Sequence, residues 1–331
     1  MRMILLVAAT ILLIAGNLFF GAIHIPPADV VTALTGDAGD GPIRFIVLES
    51  RLPQALTALL AGAALASSGL MLQTVFRNPL AGPSILGITS GASLGVALVL
   101  LMFGGVISVG FESLGGGVAV TAGALAGSFA VMLLLIALSA RIRNNLTLLI
   151  TGMMAGYLAS SLVTLLSSIS TAQSIRSYVV WGMGTFSGVS MSQMPWFALL
   201  VSVGLLMSML LAKPLNLLLL GDSYAANLGV DVRRVRHILL LATGLLSAVV
   251  TACCGPIGFI GLAMPHIARM LFRTDNHLVL MPATMLCGAI LALLCNLLSV
   301  LPDGNVIPVN ALTPIAGVPV VIYVILKARG R

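Results

Sequence analysis

The sequence predicts an all-α, polytopic membrane protein with about ten transmembrane helices and both termini in the cytoplasm. Three observations carry that prediction: composition, the spacing of apolar runs and the placement of the basic residues. Of 331 residues, 59% are hydrophobic and 8% charged, against roughly a quarter charged in an average soluble domain. So little charge cannot build a surface that faces water on all sides, so the solvent is lipid. A helix needs about 20 mainly apolar residues to cross a hydrocarbon core about 30 Å thick. Ten runs qualify: residues 3–23, 52–76, 85–104, 118–140, 146–168, 194–212, 237–252, 255–272, 278–301 and 306–326. Lys and Arg accumulate in short cytoplasmic loops. With the N-terminus inside, thirteen of the sixteen basic residues are cytoplasmic: Arg2, Arg77, Arg141, Arg143, Lys213, Arg233, Arg234, Arg236, Arg269, Arg273, Lys327, Arg329 and Arg331. Arg44, Arg51 and Arg176 fall outside. The net charge of +7 is thus an orientation signal; a nucleic-acid surface would need these residues on one solvated face.

The first run is longer than the 7 to 15 apolar residues of a signal peptide and ends near Pro26-Pro27, so it is expected to be a retained span. After it, Pro26-Pro27-Ala28-Asp29 leads into residues 30–35 and stops at Gly36. Proline near the start and glycine after the end mark a short helix, expected on the outer surface. The seventh and eighth runs are short and separated only by Cys253-Cys254-Gly255-Pro256, so a broken or re-entrant geometry is open there. Loops are few, and residues 1–331 are expected to form one transmembrane domain.

Two further loops carry information. Residues 168–193 hold Arg176, Trp181-Gly182-Met183-Gly184 and Phe186-Ser187-Gly188. Apolar yet rich in glycine and serine, they fit irregular backbone lining an outer gate or vestibule. Arg176 there suits an anionic solute, or a docking or interface charge. In the cytoplasmic loop 213–236, Gly221-Asp222-Ser223-Tyr224-Ala225-Ala226-Asn227-Leu228-Gly229 has Asp222 or Ser223 as N-cap and Gly229 as a stop. This helix either closes the loop or forms a docking knob for a cytoplasmic partner.

The span interiors hold no Asp, Glu, Lys or Arg, and His266 is the one ionisable candidate at depth. Ion-coupled carriers and pumps usually place such groups in their pathways, although a carrier using backbone carbonyls alone stays open. No Gly-x-x-x-x-Gly-Lys-Ser/Thr phosphate loop occurs, so ATP-derived energy would have to come from another subunit. His24, His237, His266 and His277 stand apart from nucleophiles and carboxylate pairs, and no enzyme active site is expected. The four cysteines form no metal-ligand pattern and suit apolar packing; the sixteen methionines suit the same role better than haem ligation. Gly87/Gly91, Gly91/Gly95, Gly123/Gly127 and Gly152/Gly156 have the spacing of close helix packing. Gly152, Gly156, Ser160, Thr164, Ser167 and Thr171 share one face of the fifth span. That face either packs against a helix or forms the wall of a translocation path.

Several segments together resemble a known family. They are Arg51-Leu52-Pro53-Gln54, residues 60–69, Gln73 through Arg77-Asn78-Pro79-Leu80 to Pro83, Ile85-Leu86-Gly87, residues 221–229, Gly258-Phe259-Ile260-Gly261-Leu262 with Pro265-His266, and Gly317-Val318-Pro319-Val320. In order, and over nearly the whole chain, they are similar to the permease subunits of ABC importers for iron-siderophores, haem and cobalamin. The resemblance implies uptake of an iron chelate first, with haem and cobalamin close behind, by a homodimer or pseudo-dimer in the cell inner membrane, with two cytoplasmic ATPase subunits that bind ATP and Mg and an extracytoplasmic solute-binding protein. It implies no cofactor in this chain. It makes the segment of Gly221, Asp222, Ser223, Ala225, Ala226, Leu228 and Gly229 the ATPase-coupling helix. It places the cytoplasmic gate at Asn78 and Leu80 and at Asn145 and Leu146, and docking of the binding protein at Arg51 and Arg44. Gln54 stands where such permeases often carry a second arginine, and the outer loop 301–306 holds none, so fewer ion pairs are expected. An ion-coupled carrier acting without an ATPase, and a passive channel, are the rival expectations.

Overall fold

A computed structural model describes residues 1–36, 41–102, 114–142, 144–300 and 307–329. Among these, all regular structure is helical: α1 (Arg2–Phe19), α2 (Pro27–Thr35), α3 (Pro42–Phe45), α4 (Leu52–Phe76), α5 (Ile88–Ala97), α6 (Leu114–Arg141), α7 (Asn145–Ser168), α8 (Ala172–Gly182), α9 (Met194–Leu210), α10 (Ala212–Leu219), α11 (Asp222–Asn227), α12 (Val232–Cys254), α13 (Ile260–Phe272), α14 (His277–Val300) and α15 (Val309–Arg329). π-Helical turns at Ile46–Arg51 and Leu98–Met102 precede α4 and follow α5. Among the described residues six rods are long and apolar enough to cross a bilayer: α1, the continuous Pro42–Phe76, α6, α7, α12 and α14. The pair α9 and α10, bent by 45°, makes a seventh, and α5, α13 and α15 are shorter apolar helices. Six, one and three account for the ten apolar runs.

The rod Pro42–Phe76 is the axis of the molecule. Pro53 has no N–H to offer the carbonyl four residues before it, and the backbone meets this with a wider turn just upstream, where Leu52 N–H bonds to Val47 O. Every residue of α4 from Ala61 to Phe76 is buried, as expected for a helix without a polar face. Its neighbours come in at glycines. A Cβ at Gly62 would stand 2.2 Å from the carbonyl oxygen of Gly288 on α14, and one at Gly69 1.7 Å from that of Gly261 on α13. α5 and α6 cross in the same way, at Gly91 on Gly127 and Gly95 on Gly123. The glycine spacings therefore mark backbone-to-backbone packing.

Three outcomes bear on the expectations above. First, the broken geometry left open between the seventh and eighth runs is present: α12 runs for 23 residues as far as Cys254, residues 255–259 are non-helical and α13 has 13 residues. Gly255 (φ 77°) and Phe259 (φ 65°) turn the chain. Asn310 of α15 secures the break, its Oδ1 accepting from Gly258 N–H at 3.4 Å and its Nδ2 donating to Gly182 O at 2.8 Å. This is broken backbone satisfied by neighbouring protein, as the membrane interior demands. Second, residues 168–193 are not irregular throughout, because Ala172–Gly182 is helical and Thr171 caps it. Third, Gly221 and not Asp222 or Ser223 is the N-cap of α11. The outer helix α2 follows its prediction, with Pro27 at its first turn and Gly36 left-handed at φ 89°. The end of the third run at 104, Arg143, Arg331 and the outer loop 301–306 lie outside the described residues.

Candidate functional site at the cytoplasmic face

The short helix α11 is set off by two glycines in conformations that other residues rarely adopt, Gly221 at φ 117° and Gly229 at φ 85°. Val230 N–H returns to Ala225 O at 3.0 Å and closes the turn. Ala225 is the residue of α11 that is buried; Ser223, Tyr224, Ala226, Asn227 and Leu228 are exposed. Tyr224 and Leu228, 54% and 53% exposed, give the knob an apolar tip. Asp222 is spent on ion pairs: Arg77 Nη2 lies 2.7 Å from Oδ1 and Arg236 Nη2 3.5 Å from Oδ2.

Arg77 ends α4 in a left-handed conformation at φ 45°, which turns the chain directly into Asn78-Pro79-Leu80. That loop is held from several sides. Asn78 Oδ1 accepts from Leu80 N–H at 2.9 Å, and His266 Nε2 on α13 donates to Pro79 O at 2.9 Å. Asn145 Nδ2, at the start of α7, donates to Val75 O in the last turn of α4 at 2.7 Å. The structure thus brings together the two segments singled out as a gate. Leu80 and Leu146 are 42% and 60% exposed. Around them runs a polar belt: Gln73 Nε2 donates to Leu262 O at 3.1 Å, Arg269 Nη1 to Gln73 Oε1 at 2.8 Å, and His277 bridges Thr74 Oγ1 and Asn216 Oδ1, both at 2.8 Å. The ends of α4, α10, α13 and α14 are therefore cross-linked beside α11.

The stripe on the fifth span divides into parts. Gly152 and Gly156 pack on Leu86 and Gly87, so the cytoplasmic part is an interhelical contact. Ser160 and Thr164 are exposed and Ser167 half-buried, and Thr171 leaves the face altogether to cap α8, its hydroxyl accepting from Ser174 N–H at 3.3 Å.

On the outer side, Arg176 is exposed on α8 and Arg44 is half-buried in α3 beside Phe45, Leu48 and Glu49. Arg51 is not a free rim charge. It is 6% exposed, and its guanidinium donates to the carbonyls of Leu18 at 2.8 Å, Phe19 at 3.0 Å and Ile23, holding the end of α1. It lines a polar recess of about 300 Å³ with Asn17, Gln54, Thr185 and Asn296. Deeper in, Asn17 Nδ2 donates to Leu293 O at 3.1 Å and Asn296 Nδ2 to Asn17 Oδ1 at 2.8 Å. A fully buried acceptor left without a donor costs about 1–3 kcal/mol; the three held by Arg51 are part-buried, so Arg51→Ala should lower the stability of the purified permease alone by about 1–3 kcal/mol in all. A thermal melt without any partner checks this, and an unchanged melt would return Arg51 to a docking role.

Residues 7–327 match the model of the FecCD transport family. The chain belongs to the FecCD transport family. Among similar proteins of this kind, the vitamin B12 import system permease protein BtuC of Klebsiella pneumoniae is 35% identical, across 100% of this chain and 93% of that one. The BtuC of Salmonella typhi is 36% identical over 285 residues, 86% of this chain and 84% of its own. A solved structure of a transporter assigned to the metal-chelate ABC type, in an inward-facing conformation, superposes with a TM-score of 0.84 at 31% identity and covers 98% of each chain. This FecCD chain is accordingly a multi-pass membrane permease of an ABC importer, a transport component with the ATPase activity in separate chains. Among its described residues no group of three His, Cys, Asp or Glu is placed to hold a metal ion.

Sequence reasoning overlooked Asn144, Arg236 and Asn310. Asn144 Oδ1 caps α7 by accepting from Leu146 N–H at 2.8 Å, a signal present in an Asn one residue before the span. Arg236 was hinted at by charge balance. Only Asp222, Asp231 and Asp275 face thirteen cytoplasmic basic residues, so each acid has several basic residues to choose from; Asp222 and Asp275 pair with arginines, and Asp231 caps α12 by accepting from Arg234 N–H. Nothing in the sequence marks Asn310.

Proposed function

We propose that this permease imports a cobalamin-type corrinoid across the cell inner membrane. In this reading it works as a homodimer with two cytoplasmic ATPase subunits that bind ATP and Mg, and it receives its cargo from an extracytoplasmic binding protein. The observation that carries the proposal is the 35% identity to a vitamin B12 import permease along the whole of this chain. It moves cobalamin ahead of the iron chelate that the family resemblance put first, with iron-siderophores and haem as the alternatives to test. The geometry is in keeping with such a machine. α11 presents an apolar tip to the cytoplasm, a fit for a groove in an ATPase. α7 exposes Ser160, Ser161 and Thr164 together with Leu158, Leu162 and Leu165. Ser161 and Thr164 donate to carbonyls of their own helix at 3.0 and 3.1 Å, which leaves their oxygens free to accept, and a second permease subunit facing this seam across a hydrated path suits the mixture. A path lined with hydroxyls offers hydrogen bonds without strong binding, which suits passage of a bulky solute.

Reconstitution with the cognate ATPase and binding protein tests this. The expected result is ATP-dependent uptake of labelled cyanocobalamin that exceeds uptake of a ferric siderophore or haemin. Preference for either of the latter would overturn the cargo assignment, and uptake abolished by an ionophore yet independent of the ATPase would overturn the mechanism.

A further inference from the structure

The Asp222 carboxylate stands between two arginines that lead to different places. Oδ1 pairs with Arg77, the residue that terminates α4 and is joined by one peptide bond to the Asn78-Pro79-Leu80 loop. Oδ2 pairs with Arg236 on α12, whose Nη1 donates to Ile142 O at 3.5 Å. Ile142 follows directly on α6 and lies just upstream of Asn144 and Asn145, where α7 begins. From the first residue of α11, one arm therefore reaches each of the two segments that meet at the cytoplasmic end of the molecule.

This arrangement is poorly explained as a device for stability. In the Arg77–Asp222 pair the side chains are 49% and 40% exposed, and exposed pairs add little to folding because water and salt screen them. Arg236 differs: it is 7% exposed, and Asp222 is its acidic partner among the described residues. A buried arginine needs such a partner, so its carboxylate is anchored from the α12 side and cannot drift with solvent. α11 meanwhile rests on the single buried side chain of Ala225 between two glycine turns. An element with so few buried contacts shifts as a unit at low cost, and its side-chain ion pairs to other elements are the two made by Asp222.

We propose that Asp222 is a positioning residue that divides the movement of α11 between the two gate segments, the Arg77 arm acting on residues 78–80 and the Arg236 arm on the start of α7. This rests on the assignment of α11 as the ATPase-coupling helix made above. The two arms make separable predictions, which a purely structural role does not.

The experiment uses the reconstituted permease–ATPase complex in a parent carrying Cys253→Ser, the other three native cysteines being buried. Leu80→Cys and Leu146→Cys are introduced one at a time, and labelling by a water-soluble maleimide is followed with and without ATP and vanadate. In the parent, nucleotide should change the labelling rate at both positions. Arg77→Gln should lose the response at position 80 and keep it at 146; Arg236→Gln should do the reverse; Asp222→Asn should lose both; and Arg77→Lys, which keeps the charge, should restore the response at 80. If Arg77→Gln and Arg236→Gln each affect both positions alike, or neither, the division between arms is overturned. The nearly isosteric Asp222→Asn decides the matter if Arg236→Gln does not assemble, since retained responses at both positions would also overturn it. No nucleotide response at either position in the parent would instead overturn the coupling assignment beneath it.

Discussion

Gly69→Leu is expected to leave almost no folded permease in the membrane. At this crossing the backbones of α4 and α13 touch: even the first side-chain atom would stand 1.7 Å from Gly261 O and 2.4 Å from Gly261 C. The obstacle is backbone on both sides, so no rotamer change relieves it, and the helices must separate. Overpacking in a core costs about 1–3 kcal/mol when side chains can adjust; here the backbone on both sides cannot, so the loss should exceed that range and approach the whole of a typical stability of about 5–15 kcal/mol. Size-exclusion profile and proteolysis of the solubilised protein are the measurements. Gly117, where an added Cβ would meet nothing within 4 Å, supplies the control: Gly117→Ala should fold normally. A monodisperse Gly69→Leu permease would show that the close approach is not needed.

Gly229→Val should produce the largest functional loss with the fold intact. A Cβ at this position meets nothing within 4 Å, so the penalty is confined to the backbone, which sits at φ 85°. A β-branched residue held there costs about 1–3 kcal/mol. That is enough to displace the small helix, which has one buried side chain as its footing, while the spans stay as they are. Transport is expected to fall about tenfold, in line with 1.4 kcal/mol per decade, with ATP hydrolysis by the partner continuing. Gly229→Asn should be milder, because asparagine tolerates the left-handed region. Transport per ATP equal to the parent's in Gly229→Val would remove α11 from the coupling route.

The spans were legible because lipid imposes a length and a composition that no tertiary contact can override: a run such as 278–301 could not be anything but a crossing, and α14 is found there. Helix punctuation was equally plain at Pro27 and Gly36 and at Gly229, where the sterics of one residue decide the backbone. What escaped were features whose cause lies far along the chain. Asp222 could not be assigned its role as an ion-pair hub because Arg77 is 145 residues away, and its carboxylate looked like a cap for its own helix. The break at residues 255–259 was legible in Gly255-Pro256, but not the partner that satisfies it: Asn310 lies 52 residues downstream of Gly258. Arg51 reads as an outer charge because its linear neighbours are a loop and a proline. Only the folded position of the α1 end turns it inward. Thr171 fell on the helical stripe by spacing alone, and lost its place once α7 stopped at Ser168.

The fastening of α1 has a practical corollary for handling the protein outside its bilayer. Thr10 and Asn17 are the fully buried residues of this helix, and its exposed side chains, such as Ile4, Leu5, Ile11 and Leu12, offer only apolar contacts that detergent can replace. Its attachments are of another kind: Arg2 to Leu271 O at 2.6 Å at one end, Asn17 to Leu293 O and Asn296 in the middle, and Arg51 at the other end. Detergent tails offer no donors or acceptors to compete with these bonds. Solubilisation should therefore strip the lipid from α1 and leave the helix in place.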